Sequence, residues 1–129
     1  MIGSFIPDDV ARFIVEKLDS VAQLEALLLL RRSPEGQWSV QALASRLYIE
    51  EKQTVELLTD LCAKGLATAT ASAPFQYRYQ PSSTELREIV DRLDDMYSKH
   101  LVPITNLIHS KPKPRVQEFA DAFKLRKDE

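Results

Sequence analysis

Apolar residues recur at steps of three and four along most of the chain, and this spacing predicts a mainly helical protein. A first amphipathic helix is indicated by Phe5, Ile6, Val10, Phe13, Ile14 and Leu18. A second helix follows a capping box at Ser20 to Gln23. Its leucines fall on more than one side, so we expect this helix to be central.

Two shorter helices come next, separated by a tight turn at Tyr48. Ser39 is placed to cap the first, whose inner face would be Val40, Leu43, Ala44 and Leu47. The second runs from about Glu51 to Lys64, and Gly65 is its expected left-handed end. Its predicted inward residues are Val55, Leu58 and Leu61.

A hairpin and further helices complete the pattern. The strands are predicted at Leu66 to Ala71 and at Phe75 to Gln80, with Phe75, Tyr77 and Tyr79 on one face and Gln76 and Arg78 on the other. A second capping box, Ser82 to Glu85, begins a helix that Pro103 is expected to break or kink. Beyond it, Phe119, Ala120 and Phe123 predict a short amphipathic helix in the tail.

This order resembles the winged helix-turn-helix fold, and specifically the MarR-type transcriptional regulators. The matching segments are "WSVQALASRLYI", "TVELLTDLCAKGLA" and "FQYRY". Ala44 is the small residue that lets the two helices approach, and Leu47 and Ile49 flank the turn as apolar anchors. The resemblance implies a mainly α protein with a β-hairpin wing, double-stranded DNA as a partner, and a homodimer formed through terminal helices.

The predicted organisation follows from this resemblance. Residues 1–80 form a winged helix-turn-helix domain with an N-terminal helix, and residues 81–129 form a C-terminal helical dimerisation segment with a basic tail. The expected dimer interface is the apolar stripe of the post-wing helix: Leu86, Ile89, Leu93, Met96 and Tyr97. The alternative is that this stripe packs back on Leu27 to Leu30 within one chain.

Charge bears directly on DNA binding. The formal net charge is -2, so any attraction to DNA must come from a local patch. From Glu50 to Tyr79 there are four acids and three bases, and the wing tip "TASAPFQ" has no charge. Lys52, Gln53 and Thr54 are the expected base-facing residues of the recognition helix, and the alternative is an ordinary solvated helix start. Arg78 is the expected phosphate contact, and the alternative is a surface arginine that only aids solubility.

The acidic start of the recognition helix raises an alternative function. Glu50 is a poor helix cap, and Glu50 and Glu51 repel a phosphate backbone. A protein-interaction module that binds a protein partner through this acidic helix, or through the basic tail, is the competing hypothesis. The basic residues of the tail are Lys111, Lys113, Arg115, Lys124, Arg126 and Lys127. A third hypothesis is a ligand-sensing pocket between the Leu27–Leu30 helix and the dimer helix.

Other chemistry finds little support in the sequence. No carboxylate or cysteine stands at metal-ligand spacing from His100 or His109, and no catalytic grouping or glycine-rich phosphate loop occurs. Neither an enzyme nor a cofactor is therefore expected. Cys62 is expected to be apolar filler rather than a sensor thiol. The apolar run from Ala26 to Leu30 is too short for a bilayer, which predicts a cytoplasmic protein with no membrane partner.

Overall fold

The structure is a computed structural model that describes residues 6–33 and 36–110 of the chain. These residues form six helices and three strands, and they confirm a mainly α fold with a small β wing. The helices are α1 Asp8–Lys17, α2 Val21–Arg32, α3 Val40–Leu47, α4 Glu51–Ala63, α5 Thr84–Lys99 and α6 Leu101–Ser110. The strands are β1 Trp38–Ser39, β2 Ala67–Ala69 and β3 Gln76–Tyr79.

The strands form one antiparallel sheet in the order β1-β3-β2. In the hairpin, Thr68 lies opposite Arg78, while Trp38 of β1 pairs with Tyr77 on the other edge of β3. The hairpin was predicted, but β1 was not, because two residues are too few to show alternation. Phe75 precedes β3 and is exposed, so its predicted place beside Tyr77 and Tyr79 is wrong.

Serine side chains set three of the helix starts. Ser20 and Ser39 accept hydrogen bonds from the backbone N–H groups three residues on, as predicted for α2 and α3. For α5 the cap is Ser83, so the predicted start at Ser82 is wrong by one residue. The reason is that the Ser82 N–H donates to the Gly65 carbonyl at 2.8 Å, which ties Ser82 to the end of α4.

Helix α2 is the centre of the core, as its leucine content predicts. Leu24, Leu27 and Leu30 are fully buried, and the buried apolar residues across the described part of the chain form one cluster. Burying each such side chain contributes roughly 1.5–3 kcal/mol. Helix α2 therefore positions both the helix-turn-helix and α5.

Helix α5 is joined to α2 by charge pairs and a hydrogen bond. Arg31 pairs with Asp91 at 2.9 Å and with Asp94 at 2.6 Å, and Arg32 reaches Asp94 at 2.7 Å. Further along, the Tyr97 hydroxyl donates to Glu25 at 3.0 Å. Burial and this contact with Glu25 raise the pKa of Tyr97 to about 12. These charge pairs and the Tyr97–Glu25 hydrogen bond hold one face of α5 against α2 within the protomer.

The packing of α5 corrects the predicted dimer interface. Leu93 is fully buried and Tyr97 nearly so within the one chain, so the expectation that they face a second protomer is wrong. Leu86, Ile89 and Met96 are partly buried against the same core. The stripe is long enough for a dimer seam, but much of it packs within the chain, where α5 contacts α1 and α6.

The boundary between α5 and α6 lies at His100, three residues before Pro103. Pro103 therefore sits in the first turn of α6, where backbone N–H groups have no partner within the helix, so proline fits without a kink. Ile104 and Ile108 are buried and join the core.

Some predictions lie outside the described residues. They are the contribution of Phe5 to the first helix, the turn residues Pro34 and Glu35, and the amphipathic, basic tail after Ser110. In the part of the chain that is described, no helix is long and apolar enough to cross a membrane.

Gly65 tests the junction between α4 and the wing. It has φ +77°, and a Cβ placed there would lie 2.5 Å from Ser82 Oγ. We expect Gly65→Ala to lower the free energy of unfolding by about 1–3 kcal/mol in urea denaturation, from the left-handed backbone and the displaced serine. Gly36→Ala is the control, because among the described residues its Cβ meets Ser33 at an ordinary contact distance of 3.6 Å. Equal losses in both variants would contradict this assignment.

Candidate nucleic-acid interface

Helices α3 and α4 form a helix-turn-helix whose turn depends on Tyr48. Tyr48 has φ 59° and ψ 43°, a left-handed conformation more often given to glycine. The Ile49 N–H donates to the Ala44 carbonyl at 3.1 Å and closes the turn. The Tyr48 side chain points away from the core and is 93% exposed. The turn is therefore made despite the absence of glycine, and it displays an aromatic ring.

Gln23 anchors α4 to α2 from inside the core. Its side chain is 2% exposed, and its amide nitrogen donates to the Leu57 carbonyl at 3.3 Å and to Asp60 Oδ2 at 2.9 Å. Its amide oxygen accepts from the Asp19 N–H at 2.9 Å. In the sequence Gln23 indicated only a capping box. Its second role requires α4 to be close, which no local pattern shows.

Asp60 and Lys64 extend this anchor toward α1. Lys64 pairs with Asp60 at 2.6 Å and also donates to the Lys17 carbonyl. Burial alone would raise the pKa of Asp60, but the hydrogen bonds from Lys64 and Gln23 outweigh it and hold the pKa below its ordinary value. One acid and one base of α4 are thus used to fix the helix.

The rotation of α4 differs from the prediction. Thr54 is fully buried, and its hydroxyl donates to the Glu50 carbonyl at 2.8 Å, so the expectation that Thr54 faces DNA bases is wrong. Val55, expected inward, is 41% exposed. Leu57, Leu58 and Leu61 set the buried face, and Thr54 continues that face one turn earlier. A threonine whose hydroxyl bonds to the backbone can be buried there without an unmet donor.

The outward stripe of α4 lies opposite this buried face. At about 100° per residue, the positions directly across from the core are Lys52, Glu56, Thr59 and Ala63. Gln53 and Val55 lie on the two flanks. Lys52 and Gln53 are exposed, as predicted, whereas the exposed positions Glu56 and Thr59 were not among the predicted contacts.

The wing places Arg78 on the outer face of the sheet. Tyr77 and Tyr79 are buried beneath it, and Arg78 is exposed between them, as the alternation predicts. The loop is closed at Thr70, whose N–H donates to the Gln76 carbonyl at 2.9 Å and whose hydroxyl accepts from the Gln76 N–H at 3.0 Å. The outer face around Arg78 is polar and uncharged: Gln37, Thr68, Thr70, Gln76 and Gln80.

The exposed charges of this surface balance. They are the acids Glu50, Glu51 and Glu56 and the bases Arg46, Lys52 and Arg78. Within the described residues none of the six takes part in a salt bridge, whereas Arg31, Arg32 and Arg92 are all paired with aspartates. We call this surface the reading face. Its cations are available to a partner, and its net charge is near zero.

Other reactive groups do not gather into a site. Burial raises the pKa of the Cys62 thiol, which is opposite to the shift that activates a sensor cysteine. Over residues 6–33 and 36–110, no three histidine, cysteine or acidic side chains are grouped to hold a metal ion.

Known structures share this architecture. A MarR family transcriptional regulator from Streptomyces coelicolor has a TM-score of 0.55 at 19% identity, covering 98% of this chain and 83% of that one. A homodimeric winged helix-turn-helix DNA-binding domain from Mycobacterium bovis, a possible ArsR-family regulator, has a TM-score of 0.52 at 22% identity. The match covers 72% of this chain and 82% of that one. Staphylococcus aureus MepR bound to ethidium bromide has a TM-score of 0.51 at 18% identity, and the match covers 93% of this chain and 86% of that one.

These similarities, together with the helix-turn-helix and the wing, define the class of fold. The chain has a winged helix-turn-helix fold similar to that of MarR family regulators. No family model and no curated protein sequence matches it. At these identities the similarity establishes the fold, and the activity has to be argued from the reading face.

The anchor at Asp60 predicts a pH dependence. The folded-state pKa is lowered, so the carboxylate stabilises the fold above its ordinary pKa of 3.8, and this contribution is lost as the pH falls through the folded value. Since Asp60 is 36% exposed, we expect Asp60→Asn to cost about 1 kcal/mol or less at pH 7 and almost nothing near pH 2. Urea denaturation at both pH values measures the difference.

Asp95→Asn is the matched control, because Asp95 forms an exposed pair with Lys99 on the surface of α5. We expect it to change stability little at either pH. If Asp60→Asn behaves in the same way, the anchor contributes nothing to the placement of α4.

Proposed function

We propose that this protein is a transcriptional regulator that binds double-stranded DNA as a homodimer. The observation that carries the proposal is that Lys52 and Arg78 are exposed and form no salt bridge with another described residue. They lie on the two elements, α4 and the wing, that present the reading face. In this proposal α4 enters the major groove, where Lys52 and Gln53 meet base edges and Arg78 meets the backbone.

The neutral reading face determines how such binding behaves. Each cation that neutralises a phosphate releases counterions, so affinity falls with salt in proportion to the number of contacts. With three exposed cations opposed by three carboxylates, we expect weak binding to random DNA, detectable mainly at low salt. The base contacts then supply a larger share of the total affinity than in a strongly basic domain.

The proposed dimer uses apolar surface at the start of α6. Leu101 is 51% exposed and Val102 is 64% exposed at the start of α6, and α6 packs on α1. Exposed neighbouring aliphatic side chains of this kind favour self-association. The M. bovis domain with the same fold is homodimeric, which supports the same assembly here. The interface therefore involves α6 rather than the buried stripe of α5.

A protein partner is the second candidate function. Tyr48 projects fully into solvent beside Glu50 and Glu51, and Val55 is exposed one helical turn further on. Tyrosine is enriched where proteins meet, and carboxylates beside it suit a basic partner surface rather than DNA. This reading face would then bind a protein and show no salt-sensitive affinity for duplex DNA.

Charge reversal on the reading face tests DNA binding. By fluorescence anisotropy with a labelled random duplex at about 50 mM salt, we expect Lys52→Glu and Arg78→Glu each to weaken binding about fivefold to tenfold. The salt dependence of the affinity should also become shallower in each variant.

Lys99→Glu is the control, since Lys99 is an exposed lysine on α5 paired with Asp95. We expect it to change affinity by no more than about twofold, because screening removes most of its effect at a distance. The absence of salt-sensitive binding by the unmodified protein would refute the DNA proposal. Equal weakening by all three reversals would show that only net charge matters.

Self-association is tested separately. We expect Val102→Glu to shift the protein from dimer to monomer in sedimentation equilibrium, because the buried carboxylate would have to be desolvated. Val55→Glu places the same charge on a similarly apolar, exposed position of α4 and should leave the dimer intact. A wild-type protein that sediments as a monomer would overturn the dimer proposal, as would a dimer that Val102→Glu leaves unchanged.

A further inference from the structure

Glu56 occupies the centre of the outward stripe of α4, where a carboxylate is unexpected in a DNA-reading helix. It is exposed, it lies directly across the helix from the buried leucines, and it follows Lys52 by one turn. With α4 in the major groove, as the proposed function has it, a glutamate at this position would face the base edges rather than the phosphates. Its charge therefore has to be explained by what it would contact there.

Lys52 and Glu56 stay free of each other in the structure. They are four residues apart on one face, close enough for an ion pair, yet the salt bridges of the described residues include no Lys52–Glu56 pair. A lysine that precedes its glutamate is also the less favourable order on a helix. Both side chains therefore remain available, one as a donor and the other as an acceptor.

The major groove offers few partners to a carboxylate. Phosphates and the acceptor atoms of guanine repel it, so a glutamate reduces affinity for most sequences. The cytosine N4 amino group is a donor that a glutamate side chain can bind, and guanine O6 and N7 are acceptors that suit lysine. Lys52 and Glu56 are about 6 Å apart along the helix axis, which spans about two base-pair steps.

We propose that Glu56 is a specificity-determining residue of this protein, accepting a hydrogen bond from a cytosine amino group while Lys52 binds guanine one or two base pairs away. The inference rests on the proposed function. Glu56 acts in two directions: it favours a half-site with a G·C pair at the centre of α4, and it disfavours sequences that offer no amino group there.

Glu51 provides the matched comparison. It has the same charge on the same helix, but it lies five positions earlier, about 140° around the helix from Glu56, and so off the stripe. Removing either charge reduces repulsion of the phosphates equally in first approximation. Only the loss of Glu56 should change which bases are preferred.

The experiment selects bound duplexes from a randomised library with wild-type protein, Glu56→Gln and Glu51→Gln, and then measures each protein on the wild-type consensus and on random DNA. We expect the sequences selected by the wild-type protein to share an obligatory G·C pair. The preference for cytosine over the other bases at that position should fall by roughly 5- to 100-fold in Glu56→Gln. Both variants should bind random DNA about two- to fivefold more tightly. Glu51→Gln should keep the consensus, which shows that the change is not one of charge alone.

Three results would overturn the inference, and they differ in what else they affect. An identical consensus for wild type and Glu56→Gln excludes Glu56 as the determinant and leaves DNA binding intact. Salt-sensitive binding of the wild-type protein with no enriched sequence likewise excludes Glu56 as the determinant and leaves DNA binding intact. Failure of all three proteins to bind any duplex at low salt removes the proposed function together with the inference. Circular dichroism with a urea midpoint for each variant confirms that the comparison is between folded proteins.

Discussion

The buried amide of Gln23 is the interaction on which the orientation of the reading face depends. Hydrogen bonds from one side chain join the start of α2, the Leu57 carbonyl in the middle of α4, and Asp60. A buried amide without these partners would cost roughly 1–3 kcal/mol, so α4 is held in the rotation that satisfies them. Apolar packing attracts the two helices without direction, and the amide selects one rotation.

That rotation explains which parts of the interface the sequence could and could not predict. Lys52, Gln53 and Arg78 were predicted as exposed because polar residues at these positions follow directly from helix and strand periods. The predicted environments of Thr54 and Val55 are the reverse of those observed, because hydrophobicity alone assigns the valine to the core and the threonine to the surface. The burial of Thr54 depends on its hydroxyl bonding to the Glu50 carbonyl, and the pattern of apolar residues does not contain that contact.

Tertiary contacts account for the other differences as well. The α5 stripe looks the same in sequence whether it meets a second protomer or the helices of its own chain. The Arg31–Asp94 pair and the Tyr97–Glu25 hydrogen bond, which join α5 to α2, are not visible in that pattern. These pairings join residues more than sixty positions apart. A one-residue shift of a helix cap to Ser83 likewise follows from the bond between Ser82 and Gly65. Local sequence signals determine the order of the helices and strands, whereas long-range polar contacts determine which face of each helix is buried.

The same ion pairs shape the energetics of the proposed function. Arg31, Arg32, Arg92 and Lys64 are paired with aspartates in holding helices together. The reading face itself carries three exposed bases and three exposed acids, so its charge is balanced. Under the proposed function, attraction to phosphates is then small, and two further terms have to compensate. One is base recognition, in which Glu56 weakens binding to most sequences and rewards few. The other is dimerisation, because joining two weak reading faces makes the second contact intramolecular. An apolar surface at Leu101 and Val102 and a carboxylate in the centre of α4 are therefore consistent with each other. A protein that binds random DNA poorly through one copy gains most from a second copy placed on a paired half-site.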